Sequence, residues 1–144
     1  MKILMGIDDS SFSGDVLQAV ITQFRPEHIE VRVLHVLQPS APAPPQMAPD
    51  YAPELDDQKE PARELVERIA NELRSAGFKV DTAVEVGDIR ERIIDSAAEW
   101  RADLIVVGSH GRSGIPRFLL GSVAQFVARH AKCSVEIVRA SLRD

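Results

Sequence analysis

The chain has 144 residues, a formal net charge of −5 and one cysteine, Cys133. That length suits one domain, residues 1–144, able to bury most of its apolar surface without disulfides or metals. Charges of both signs are scattered and only 5% of residues are aromatic, which argues against a nucleic-acid partner, since that needs a concentrated cationic surface and stacking platforms. No apolar run approaches a membrane span and no basic segment leads into a long apolar core. The expectation is a soluble cytoplasmic protein with no membrane partner.

Lys2 to Ile7 is a short apolar run ending in Asp8-Asp9-Ser10, read as a strand. Gly6 inside it suits a strand that another element approaches closely. Phe12, Val16, Val20 and Phe24 then recur every four residues until Pro26, which predicts a helix that the preceding acidic and hydroxyl residues can cap. His28 to Leu37 alternates and then becomes continuously apolar, as a strand covered on both faces does. From Gln38 the chain is rich in Pro and Ala without periodicity, and residues 38–56 read as a surface loop.

Ala62, Leu65, Val66, Ile69 and Leu73 form one apolar helical face that Gly77 terminates. Its start is open: Pro61 fits only a first turn, while the acidic residues from Glu54 onward can also belong to the helix. Phe78 to Val86 alternates as a third strand, and Gly87 turns the chain. Asp88 and Glu91 have capping-box spacing ahead of a helix carrying Ile89, Ile93, Ala97 and Trp100 inward. Leu104 to Val107 is a fourth strand. Ser122 and Gln125 repeat the capping-box spacing before a helix with Val123, Phe126, Val127 and Ala131 on one side, and Ser134 to Val138 closes the pattern as a fifth strand.

Alternating strands and helices predict the α/β class: a doubly wound, Rossmann-like, five-stranded parallel sheet with helices on both faces. With strand order 3-2-1-4-5, the winding reverses between the first and fourth strands. Ligands of such sheets bind outside the strand carboxyl ends at that point. Asp8 and Gly108 are therefore expected to face one crevice.

Gly108, Gly111, Gly121 and Ser122 form G-x2-G-x9-G-S between a strand and a helix. Glycines allow a sharp turn, with positive φ at Gly108 or Gly111, and a close approach of backbone to ligand. A helix start at Gly121-Ser122 offers N–H groups, a hydroxyl and the positive end of a dipole to a phosphate. Singly, these residues read as a strand terminator, a helix-start glycine and an ordinary N-cap. Jointly, at this spacing, they point to an anionic ligand.

The pattern resembles the nucleotide-binding signature of the universal stress protein family, in its ATP-binding branch. I-L-M-G-I-D-D-S is similar to the family's first strand, L-H-V-L to its second, and D-L-I-V-V-G-S-H-G-R-S-G to its fourth, so the resemblance spans nearly the whole chain. It implies that Asp8 hydrogen-bonds a ribose, that Val36 lines an adenine pocket, and that the N–H groups of Gly111, Gly121, Ser122 and Val123 hold phosphates. The ligand implied is ATP, or AMP or ADP, with Mg²⁺ able to accompany it through water on Asp8 or Asp9. A homodimer through the C-terminal strand is implied as well.

Arg112 and Arg117 are further candidates for phosphate contact, and the alternative reading of both is as solvated loop residues. Asp9 stands where the family commonly has glycine, and Ser134 where it often has proline. There is no G-x4-G-K-[S/T], no G-x-G-x-x-G after the first strand, and no metal-ligand spacing. No residue is placed as a general base, so the chain is read as a nucleotide-binding stress-response or regulatory protein with at most slow ATP hydrolysis. The alternative is a non-enzymatic dimeric interaction module with a structural glycine loop.

Overall fold

A computed structural model of the chain describes residues 1–40, 45–46, 53–110 and 120–139. In chain order the elements are β1 (Lys2–Ile7), α1 (Phe12–Gln23), β2 (Glu30–Leu37), a 3₁₀ turn (Pro53–Leu55), α2 (Asp56–Ser75), β3 (Lys79–Val86), α3 (Ile89–Trp100), β4 (Leu104–Gly108), α4 (Ser122–His130) and β5 (Ser134–Val138). Every strand pairing is parallel. The sheet order is β3-β2-β1-β4-β5, as the sequence predicts.

The period-two alternation of β1 sends its side chains to two separate cores. Ile3, Met5 and Ile7 pack with Val16 and Val20 of α1 and with Leu65, Ile69 and Leu73 of α2. Leu4, on the other face, joins Ile93 and Ala97 of α3 and Val127 of α4. Gly6 lies on this second face. A Cβ there would stand 3.2 Å from Val107 Cγ1 and 3.5 Å from Ile93 Cδ1, so the missing side chain lets α3 sit close against the sheet.

Gly77 ends α2 at a φ of 98°. Its N–H donates to Arg74 O at 2.9 Å while Phe78 N–H donates to Leu73 O at 3.1 Å, which is a Schellman closure. Phe78 is thereby drawn into the turn, and β3 starts one residue later than its alternation suggests. The same closure ends α3, with Arg101 in the left-handed region at 61°. Ala102 N–H donates to Ala97 O at 2.9 Å, and no glycine marks the place.

Other boundaries also move. His28 has a φ of 65° and β2 begins at Glu30. Helix α2 begins at Asp56, which puts Pro61 in its second turn rather than its first. Proline there removes an N–H that would have met the Asp57 carbonyl; both residues are exposed, so water can serve that oxygen. Leu55, 4% exposed, fixes the start by packing with Leu37 and Ala62. The described part of the Pro-rich stretch thus contains a 3₁₀ turn, and the rest of that stretch lies outside the described residues.

Filling the space at Gly6 should cost stability without changing topology. Gly6→Leu is expected to lower the unfolding free energy by about 1–3 kcal/mol through overpacking against Val107 and Ile93, read as a lower urea midpoint at unchanged m-value.

Candidate functional site

The carboxyl ends of β1, β2 and β4 open on a cleft of about 1440 Å³. Asp8 follows β1, Val36 lies near the end of β2, Gly108 ends β4, and Gly121, Ser122 and Val123 start α4; all six border this cleft. Gly111, Arg112 and Arg117 lie outside the described residues. Residues separated by about a hundred positions therefore meet where the sheet winding reverses.

Asp8 is held by the turn that follows it. Its Oδ1 accepts a hydrogen bond from Ser10 N–H at 2.9 Å and a short one from Ser10 Oγ. Ser13, 6% exposed, accepts from Asp8 N–H at 3.1 Å and donates to Asp8 O at 2.6 Å. The polar residues after β1 thus order a turn rather than supply the helix cap that the sequence predicts. Ser11 is the N-cap of α1, and its side chain makes no capping bond. Asp9 is exposed and is not among the positive-φ residues, so the carboxylate at this family-glycine position is accommodated without left-handed strain.

Gly108 and Gly121 serve close approach rather than unusual torsion. Gly108 is not among the positive-φ glycines; a Cβ on it would meet His110 O at 3.2 Å. Gly121 has φ −66° and ψ 161°, and a Cβ on it would meet Ser109 O at 3.2 Å. Ser109 ties the loop at both ends. Its N–H donates to Val138 O at 2.7 Å and its O accepts from Gly121 N–H at 2.8 Å.

That last bond changes what the start of α4 can offer. The Gly121 N–H is already engaged, and Gly121 rather than Ser122 is the N-cap. Gln125 does not close a capping box; its Nε2 donates to Leu120 O at 2.8 Å. The N–H groups of Ser122 and Val123 lie in the first turn, where a helix has no carbonyl of its own to give them. These amides and the dipole make the start of α4 an anion-favouring edge of the cleft.

His110 is buried against Phe12, ring centroids 5.9 Å apart, with Nδ1 2.9 Å from Ser109 Oγ. His35, also on the cleft, places Nδ1 2.9 Å from Ile7 O. His35 thus ties β2 to the end of β1, and His110 holds the Ser109 hydroxyl. Sequence reasoning passed over Ser10, Ser13, Ser109 and Gln38. An Asp-x-Ser spacing is a known turn signal and could have marked Ser10; Ser109 is visible only once the fold brings Val138 and Gly121 to it.

The far wall is set by α3. Gln38 Oε1 accepts from Ile89 N–H at 3.0 Å, and Asp88 Oδ1 accepts from the N–H groups of Arg90 and Glu91. Partial burial would raise the Asp88 carboxyl, but the Glu91 and Arg90 hydrogen bonds outweigh it and hold the group below its ordinary value. Behind this wall Arg92 is paired with Glu85, which raises the guanidinium further, and Ser96 Oγ donates to Glu85 Oε2 at 3.2 Å. Cys133 is half-buried, and that burial pushes its thiol up, away from reactivity.

Comparison with known proteins gives a consistent picture. Residues 1–139 match the family model of the Universal stress protein family. Universal stress protein Sll1388 of Synechocystis sp. is 31% identical, the match covering 96% of this chain and 97% of that protein. Among solved structures, protein MJ0577 of Methanocaldococcus jannaschii is similar with a TM-score of 0.82 at 27% identity, covering 99% of this chain and 97% of that one. A universal stress protein of Archaeoglobus fulgidus in complex with dAMP is similar with a TM-score of 0.71 at 25% identity, covering 96% and 98%.

The Asp88 cap carries a pH signature. A carboxyl lowered by folding contributes stability that is complete above its unfolded pKa, about 3.9, and is lost as pH falls through the folded value. Asp88→Ala is expected to cost about 0.5–2 kcal/mol at neutral pH. Urea unfolding followed by circular dichroism should find the gap to the native sequence closing as pH drops below about 4.

Proposed function

Because the chain belongs to the universal stress protein family, we propose that it is a regulatory or stress-response protein whose cleft binds an adenine nucleotide: ATP, or AMP or ADP. The observation that carries this reading is the convergence on one cleft of a fixed carboxylate, Asp8, an apolar strand end at Val36, and the N-terminal turn of α4 behind Gly121. Those three features match the three chemistries of a nucleotide in kind. A carboxylate accepts from sugar hydroxyls, an apolar wall takes the face of a base, and helix-start amides take phosphate oxygens. The complex of the Archaeoglobus fulgidus relative with dAMP supports the same assignment.

The roles follow. Asp8 accepts from the ribose and Val36, 7% exposed, lines the base pocket. The amides of Ser122 and Val123 hold phosphate, with Gly111 and Arg112 contributing from outside the described residues. Gly108 and Gly121 keep the loop backbone low enough to admit the ligand. Among the described residues no cluster of three His, Cys, Asp or Glu side chains could hold a metal, so Mg²⁺ would arrive on the nucleotide phosphates and meet Asp8 or Asp9 through water. The nucleotide acts as a bound signal, with at most slow hydrolysis. The fold is proposed as one domain working in the cytoplasm.

The outer edge of β5 pairs with no strand among the described residues, and its apolar residues are half-buried. That edge is the proposed homodimer surface. Native mass spectrometry tests ligand and assembly together: two subunits and bound nucleotide are expected with added ATP, while absence of binding at millimolar ATP would refute the function. Gly121→Asp should abolish binding, since its side chain must crowd Ser109 O and set a negative charge beside the phosphate amides. Gly121→Ala, which adds the Cβ without the charge, should weaken binding less.

A further inference from the structure

Resting on the nucleotide reading, we infer that the site senses a single ribose hydroxyl, because Ser10 withdraws one of the two oxygens of Asp8 from the ligand. An ionised carboxylate grips a vicinal diol best with its two oxygens side by side, one to each hydroxyl. Here the oxygens are not equivalent. Oδ1 accepts from both the N–H and the Oγ of Ser10, which uses its two lone pairs, and Ser13 Oγ stands a further 3.4 Å from it. Oδ2 has no hydrogen-bond partner among the described residues and is the oxygen left for a ligand.

Ser13 fixes the same turn from below. Its hydroxyl joins the N–H and the O of Asp8, so the carboxylate cannot gain a second free oxygen by rotating the backbone beneath it. Ser10 is therefore a positioning residue: acting through Asp8, it sets how many sugar hydroxyls the site can read. The consequence is a site tolerant of one deoxy position and intolerant of the other.

Titration calorimetry with ATP, 2′-deoxy-ATP and 3′-deoxy-ATP tests this. The native protein should bind one analogue within about threefold of ATP and the other about tenfold or more weakly, the loss of one hydrogen bond to a charged group. Ser10→Ala removes the Oγ bond and keeps the N–H bond, which frees one lone pair of Oδ1 for the second hydroxyl, so the two analogues should converge, and Ser10→Thr should restore the asymmetry. A merely structural Ser10 would shift all three affinities together. Tenfold losses with both analogues, or with neither, in the native protein overturn the one-hydroxyl inference while leaving nucleotide binding intact. Failure of ATP itself to bind overturns both. The native measurement needs no variant, so a Ser10→Ala chain that does not fold leaves the test decisive.

Discussion

Everything in this structure depends on β1 being the central strand of a parallel sheet, paired on one side with β2 and on the other with β4. Such a strand must be apolar on both faces, and Ile3, Leu4 and Met5 are wholly buried. It must also send its two neighbours' crossovers in opposite directions. Helices α1 and α2 cover one face and α3 and α4 the other, so the ends of β1 and β4 are not roofed by a common connection. The cleft is the gap left by that divergence, and a ligand site there follows from topology before any side chain is chosen.

The loop beyond β4 is shaped by backbone economy. Ser109 stands between β5 and α4, giving its N–H to one and accepting from the other. With those two bonds made, a Cβ on Gly108 or Gly121 would sit tightly, 3.2 Å from a carbonyl oxygen, although neither glycine has a positive φ. The glycines are thus favoured by proximity, and the amides that remain for an anion belong to the first turn of α4. On the opposite side of the cleft a comparable economy fixes Asp8, whose turn is closed by two serine hydroxyls rather than by a capped helix.

Much of this is legible in the chain. Parallel order, two-sided burial and the placement of Asp8, Val36 and Gly121 at one end of the sheet follow from hydrophobic periods of two and near four, because burial of alternate or every-fourth residues is what those elements do. The end of α2 at Gly77 is legible for a different reason: the left-handed residue of a helix closure costs least as glycine. The matching end of α3 at Arg101 is not legible, since there the packing of the next strand imposes the same torsion on a residue that carries no such mark. The starts of α2 and α4 are equally opaque. Leu55 begins α2 through contacts with Leu37 and Ala62, and Gln125 turns to Leu120 instead of Ser122, choices made by neighbours distant in sequence or by loop geometry.

By itself the sequence determined the class of fold and the set of residues that could meet an anion, because periodicity and glycine placement act locally and survive without knowledge of partners. Only the tertiary structure decided which hydrogen-bonding groups of that set remain unspent. Gly121 lends its N–H to Ser109 and Asp8 lends one oxygen to Ser10, since a buried or half-buried polar group takes the nearest partner that the fold supplies. After those local bonds are made, a single carboxylate oxygen of Asp8 and the first-turn amides of α4 are what remains of that set among the described residues.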